Sequence, residues 1–77
     1  MKAYLVRNVH DLTDALKKLE KAFAQKGIYF LRVIRKKDNL IRITILEVDQ
    51  DSATIKELDF IVKPEDKDSI KFYQLNR

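Results

Sequence analysis

The chain of 77 residues contains no cysteine, no tryptophan, one glycine and one proline. Without cysteine it has neither a disulfide framework nor a thiolate metal site. Its single glycine, Gly27, excludes a glycine-rich loop that cradles phosphates. No apolar run is long enough to predict a membrane span, and charge returns at Arg7, too early for a cleaved signal peptide. We therefore expect a cytoplasmic protein that makes no membrane contact.

The length and the charge distribution of the chain restrict its number of domains and the kind of partner it suits. Residues 1–77 suit one domain, which at this size buries only about 60% of the surface that its unfolded chain exposes. Such a small core favours stabilisation by self-association. Residues 1–42 contain 11 basic and 4 acidic side chains, whereas residues 43–77 contain 5 and 8, for a net charge of +4. The basic half suits an anionic partner; alternatively, the two halves neutralise each other within or between subunits.

The clearest secondary-structure signal predicts an amphipathic helix over residues 11–26. Asn8 or His10 is expected to cap its N-terminus, and Gly27 to end it in the left-handed conformation. Acidic residues come early in this segment and lysines later, as the helix dipole favours, so these lysines have a structural explanation. The apolar positions follow the spacing of one helix face and are Leu12, Ala15, Leu16, Leu19, Ala22 and Phe23.

The other apolar segments alternate β-branched and aromatic residues and are separated by polar turns, which predicts an antiparallel meander. The strand before the helix is apolar on both faces, which favours an interior position in the sheet. The predicted fold class is therefore α+β, in the order βαβββ with a final strand, with a single helix packed on an antiparallel sheet. The predicted strands are residues 2–7, 28–35, 40–48, 53–62 and 69–75, with a polar loop at 63–68.

Residues 52–62 also fit a second helix, because residues 54–57 resemble a capping box and apolar side chains recur with helical spacing. That alternative gives a ferredoxin-like βαββαβ order. The strand is preferred because a helix would turn Phe60 toward solvent and Asp59 toward the core.

Pairing the predicted strands across tight turns tests the meander. The resulting register places Arg35 beside Arg42, and Asp59 on the next strand offsets their repulsion. It also leaves an apolar patch on the face opposite Ile43, which predicts a homodimer interface. The residues of this predicted interface are Leu31, Val33, Leu46 and Ile55.

The hairpin of residues 32–42 is the strongest candidate for a functional surface. Arginine forks clamp phosphates and tyrosine stacks on unpaired bases, so single-stranded RNA or DNA is a suitable partner. The predicted function is a small nucleic-acid-binding module that acts as a homodimer; a protein-interaction or assembly module without nucleic-acid contact is the alternative. Lysines at a hairpin tip also serve to discourage edge-to-edge aggregation. The predicted nucleic-acid-binding residues are Tyr29, Arg32, Arg35, Lys36, Lys37 and Arg42.

Residue types for catalysis and metal binding are scarce. His10, the single histidine, suits a general base or metal ligand, but capping or simple exposure is preferred. Asp49, Asp51 and Glu47 have oxygen ligands for a divalent cation, but an ordinary turn is preferred. We therefore assign no metal, cofactor or catalytic residue, and enzymatic activity stays an open question. A ribonuclease would draw its acid and base from His10, Tyr29, Lys36 and Tyr73.

Two stretches resemble known families. Residues 31–33, 40–49 and Phe60 are similar, in hairpin lengths and arginine placement, to the sheet of bacterial toxin endoribonucleases of the ribosome-dependent interferase superfamily. This resemblance implies a toxin-like endoribonuclease. Those toxins usually carry two helices before the sheet, whereas one fits here, and they place basic residues at the C-terminal end, where Arg77 is the sole basic residue after Lys71.

Residues 64–75 are similar to the tail of the small ferredoxin-like subunit of the CRISPR spacer-acquisition complex. This resemblance implies a ferredoxin-like fold. That family has an aspartate at the end of its first strand, whereas the matching position here is Asn8. The resemblance therefore does not carry metal-dependent cleavage over to this chain.

Overall fold

Five strands and one helix account for most of the chain in a computed structural model that describes residues 2–75. The strands form one antiparallel sheet in the order β1-β5-β4-β3-β2, and the helix packs on one of its faces. The predicted α+β class is confirmed. Arg77 lies outside the described residues. The elements are β1 (Ala3–Arg7), α1 (Leu12–Ala24), β2 (Ile28–Lys37), β3 (Leu40–Val48), β4 (Ala53–Asp66) and β5 (Ser69–Gln74).

The core lies between α1 and the sheet. Along β3, Ile41, Ile43 and Ile45 are buried while the alternating residues are only half-buried. Phe60 and Phe72 are fully buried on the same side, and their rings meet edge to face with centroids 6.2 Å apart. We call this covered side the helix face and the other side the open face. No helix among residues 2–75 has the length and apolar character that a membrane crossing needs.

The ends of α1 differ slightly from the prediction. Its N-cap is Asp11, whose carboxylate accepts the Asp14 amide hydrogen at 2.8 Å, rather than Asn8 or His10. Gly27 has a φ of +79° and donates its amide hydrogen to the Ala24 carbonyl, as the predicted stop requires. A Cβ atom there would lie 3.1 Å from the Val48 carbonyl oxygen, a tight contact that adds to the conformational preference for glycine.

Strand β1 is an edge strand, so its predicted interior position is wrong. It pairs with β5 alone, and Leu5 on the open face is 42% exposed. Apolar residues on both faces of a strand indicate an interior position only if both faces of the sheet are covered, and here α1 covers one.

Residues 53–66 form a single strand of 14 residues, which rules out the ferredoxin-like alternative. The predicted loop at 63–68 is also wrong: β4 continues through it to a tight turn at Lys67 and Asp68. Pro64 fits because β3 begins opposite Ile61, so beyond that point one side of β4 has no neighbouring strand. A proline on such an unpaired edge need not break a ladder hydrogen bond.

The predicted register is confirmed between β3 and β4, where Arg42 pairs with Asp59. It is wrong between β2 and β3, because the ladder shifts between Phe30 and Arg32 and again between Arg35 and Lys37. The first bulge leaves Leu31 unpaired and reverses the faces of the residues that follow. Arg35 therefore lies opposite Ile41 on the helix face, and the predicted contact between Arg35 and Arg42 does not form.

Candidate nucleic-acid interface

The open face carries most of the uncompensated charge of the sheet. Side chains of directly paired residues share a face, so the cross-strand pairs determine which residues lie there. Basic side chains outnumber acidic ones six to three among the open-face residues that the structure describes. The basic residues are Arg7, Arg32, Lys37, Arg42, Lys63 and Lys71, and the acidic ones are Glu57, Asp59 and Asp66.

Two of these acidic residues, Asp59 and Glu57, are held by Arg42. Its Nε and Nη2 donate to the two Asp59 carboxylate oxygens at 2.8 and 3.2 Å. Its Nη1 lies 3.7 Å from a Glu57 oxygen. The Asp59 side chain is only 8% exposed and that of Arg42 21%, so this is a structural ion pair. Arg7 lies near the third acidic residue, Asp66, whose pKa is lowered by a backbone hydrogen bond and by the charge of Arg7. No carboxylate of residues 2–75 is within ion-pair distance of the remaining cations, which are Arg32, Lys37, Lys63 and Lys71.

Two of these cations surround an aromatic ring. Lys63 on β4 and Lys71 on β5 are directly paired, and Tyr73 follows two residues after Lys71 on the same face. The Lys63 and Lys71 ammonium nitrogens lie 5.8 and 5.4 Å from the centre of the Tyr73 ring. We call these three residues the lysine–tyrosine cluster. Like charges placed directly opposite destabilise a strand pair, and contact with the ring offsets part of this cost.

Sequence reasoning missed this cluster because Lys63 was placed in a loop. Lys71 and Tyr73 were on a predicted strand, but only the β4–β5 register brings Lys63 beside them. The available signal was a two-residue turn at Lys67 and Asp68 between two alternating segments.

The predicted binding residues of the hairpin do not form one group. Arg35 lies on the helix face and donates its Nε and Nη2 to the Asp38 carbonyl oxygen at 3.2 and 2.6 Å. Lys36 is the unpaired residue of the second bulge, and Arg42 is held by Asp59. Four of the six predicted residues therefore lie on the open face, and since Arg42 is engaged by Asp59, those left for binding are Tyr29, Arg32 and Lys37.

The predicted dimer interface is also divided. Leu46 and Ile55 are paired on the open face as expected, and Ile55 is 65% exposed. Val33 lies opposite the buried Ile43 on the helix face, so it does not share their surface. Leu31 is the bulged residue at the sheet edge. An apolar end of the open face remains, and it consists of Tyr29, Leu46, Val48 and Ile55.

The groups proposed for acid–base chemistry lie apart. His10 is exposed, with Nδ1 3.7 Å from an Asp68 oxygen, and it borders a cavity of about 350 Å³ on the helix face. Tyr73 belongs to the open face, and Tyr29 lies at the apolar end. The structure therefore does not bring these candidate residues together around one phosphate.

The remaining acidic residues have local roles. Glu47 forms an ion pair with Lys56 at 2.8 Å, and the Asp49 carboxylate accepts the Gln50 amide hydrogen at 2.8 Å. The pKa of Asp66 lies below its ordinary value because its carboxylate accepts the Asp68 amide hydrogen. Within residues 2–75, no three or more histidine and acidic side chains are arranged to hold a metal ion.

The fold is a single helix packed on one face of a five-stranded antiparallel sheet in the described part of the chain, with a cationic open face. No family model, curated protein or solved structure matches this chain. Neither of the two resemblances in the sequence is therefore supported by a match.

Proposed function

We propose that this protein binds nucleic acid on the open face of its sheet, through contacts with the phosphate backbone. The observation that supports this proposal is the imbalance of charge there. Two of the three acidic side chains of the face are held by Arg42, and the third, Asp66, lies near Arg7. The remaining cations have no carboxylate partner among residues 2–75, and they are Arg32, Lys37, Lys63 and Lys71.

The distribution of these cations favours a long polyanion over a small anion. Arg32 lies on β2 and Lys71 on β5, three strand spacings apart. Lys71 is also six residues farther along the sheet, because it pairs with Lys63 whereas Arg32 is level with Glu57. The separation is therefore roughly 24 Å, which a single phosphate does not span and an extended strand does. Contacts of this kind position a nucleic acid but carry no sequence information, so we expect little preference among sequences.

Replacing Lys63 and Lys71 together by glutamine should weaken the salt dependence of binding. For a single strand, log K falls by about 0.7 per phosphate contact for each tenfold rise in salt, so losing two contacts flattens the slope by roughly 1.4. Fluorescence anisotropy titrations with short RNA and DNA strands at several salt concentrations measure this slope.

The matched control changes Lys17 and Lys21 to glutamine. These lysines are exposed on α1, away from the open face, and the double change alters the net charge equally. Equal slopes for the two double variants would contradict the proposed site. An unmodified protein that binds neither strand at tens of micromolar would contradict the function itself.

We further propose that two copies associate through the apolar end of the open face. Tyr29, Leu46 and Ile55 lie side by side across three strands, and Tyr29 and Ile55 are 45% and 65% exposed. Ile55 and Lys63 are eight residues apart on β4, about 26 Å. A partner on the apolar end therefore leaves the lysine–tyrosine cluster accessible, so assembly and binding are compatible.

Replacing Ile55 by lysine should weaken self-association by roughly tenfold or more, because an unpaired charge buried in an apolar interface costs more than about 1.4 kcal/mol. Sedimentation velocity over a concentration series measures this change. Val33→Lys is the control, since Val33 is 41% exposed but lies on the helix face. Unmodified protein that is monomeric at high concentration would remove this proposal and leave the binding proposal intact.

The toxin-like endoribonuclease is the less favoured alternative. Cleavage needs an acid and a base within hydrogen-bond reach of one phosphate. His10 lies beside the helix-face cavity, on the other side of the sheet from Lys63 and Lys71. We therefore propose binding as the activity of the open face.

A further inference from the structure

We infer that Tyr73 is a platform on which an unpaired base stacks, so that the bound nucleic acid is single-stranded. This inference rests on the proposed backbone binding and adds the class of nucleic acid to it. It depends on the lysine–tyrosine cluster alone.

The Tyr73 ring lies at a restricted position in the sheet. Tyr73 is half-buried on the open face, between Ala3 on β1 and Ile61 on β4, with which it is paired. Neighbouring strands on both sides restrict an aromatic side chain there, so little conformational entropy is lost when a base stacks on it. Every base has a flat face, so such a platform accepts any sequence.

Lys63 and Lys71 place two ammonium groups beside the Tyr73 ring. An exposed contact between an ammonium group and an aromatic ring is worth about 0.5–1 kcal/mol, so an incoming base displaces it at little cost. The long side chains of Lys63 and Lys71 then remain within reach of the phosphates on either side of the stacked base. An anion there also relieves the repulsion of two cations that face each other across β4 and β5.

Tyr29, the tyrosine that the sequence favoured, lies in different surroundings. Tyr29 lies opposite Leu46 at the apolar end, and no lysine contacts its ring among the described residues. A base stacked on Tyr29 would have no cation from this cluster beside it. The combination of ring and paired cations therefore assigns the platform to Tyr73.

The expected preference is for single strands. Bases in a duplex are already stacked on their neighbours and present no free face to a side chain, whereas those of a single strand do. RNA and DNA offer the same stacking surface, so the test uses both oligouridine and oligothymidine. A duplex and an abasic strand of the same length serve as probes that supply phosphates without a free base.

The experiment combines anisotropy with intrinsic fluorescence, which tyrosine dominates because the chain lacks tryptophan. Tyr73→Leu should weaken binding of the single strands by roughly 5- to 150-fold, the range for loss of one stacked base, and should not change binding of the abasic strand. Val33→Ala, an exposed change on the helix face, is the control and should bind as the unmodified protein does.

Tyr73→Phe keeps the aromatic ring, so it tests the inference even if Tyr73→Leu fails to fold. It should retain affinity but lose the tyrosine quenching that oligouridine causes in the unmodified protein. Salt-dependent binding with equal affinity for duplex and single strand, or undiminished binding by Tyr73→Leu, would overturn the stacking inference and leave backbone binding standing. Absence of all binding at low salt would overturn both.

Discussion

Replacing Phe60 by alanine is expected to lower the free energy of unfolding by about 4 kcal/mol. Phe60 is fully buried in the middle of β4, with ring centroids 6.1 Å from Tyr4 and 6.2 Å from Phe72. Its removal loses the transfer free energy of the ring and leaves a cavity between the sheet and α1. A domain of this size has a total stability of only about 4–12 kcal/mol, so the variant is close to unfolding.

Urea denaturation followed by circular dichroism measures this effect. Phe60→Leu keeps most of the volume and should cost about 1–2 kcal/mol, which provides a folded variant for comparison. Leu31→Ala is the control, because Leu31 is 53% exposed and its truncation should cost less than about 0.5 kcal/mol. A loss below about 1 kcal/mol for Phe60→Ala would contradict the position of Phe60 in the core.

Replacing Arg42 by methionine should lower the free energy of unfolding by about 3 kcal/mol, because it removes one partner of a buried ion pair. The Asp59 carboxylate, 8% exposed, loses two charge-assisted hydrogen bonds from the guanidinium. The double variant Arg42→Met with Asp59→Leu replaces both charges by apolar groups and should recover most of the loss.

The same Arg42 variant tests whether this arginine binds nucleic acid. Since the guanidinium is held by Asp59 and Glu57, the folded variant should show nearly the salt dependence of the unmodified protein. A slope flattened by about 0.7 would instead mean that Arg42 contacts a phosphate, as the sequence alone predicted. Chemical denaturation and anisotropy on the same preparation separate the two effects.

Local patterns in the sequence predicted the elements well where one periodicity dominates. The spacing of Leu12, Ala15 and Leu19 with a glycine at position 27 predicted α1, because helix contacts repeat within a few residues. The β3–β4 register was predicted because alternation in both strands and a short turn admit one pairing that keeps both apolar faces together.

The candidate site was less predictable. Arginines at 35 and 42 suggested that both side chains bind the phosphate backbone together, but the bulge at Leu31 moves Arg35 to the helix face. A bulge adds one residue without a strong compositional signal, and one added residue reverses every side chain that follows. Proline at position 64 suggested the end of a strand, whereas an unpaired edge accommodates it.

The sequence by itself determined the helix and most of the strands, the absence of cysteine and glycine-loop chemistry, and the excess of positive charge, because these follow from composition and short-range periodicity. Only the tertiary structure decided which cations share a surface and which carboxylates already form ion pairs within the protein. Lys63 and Tyr73 are ten residues apart in the chain and meet because β4 continues past β3 to pair with β5. Such a contact depends on the alignment of two strands, and charge counts along a chain contain no information about that alignment.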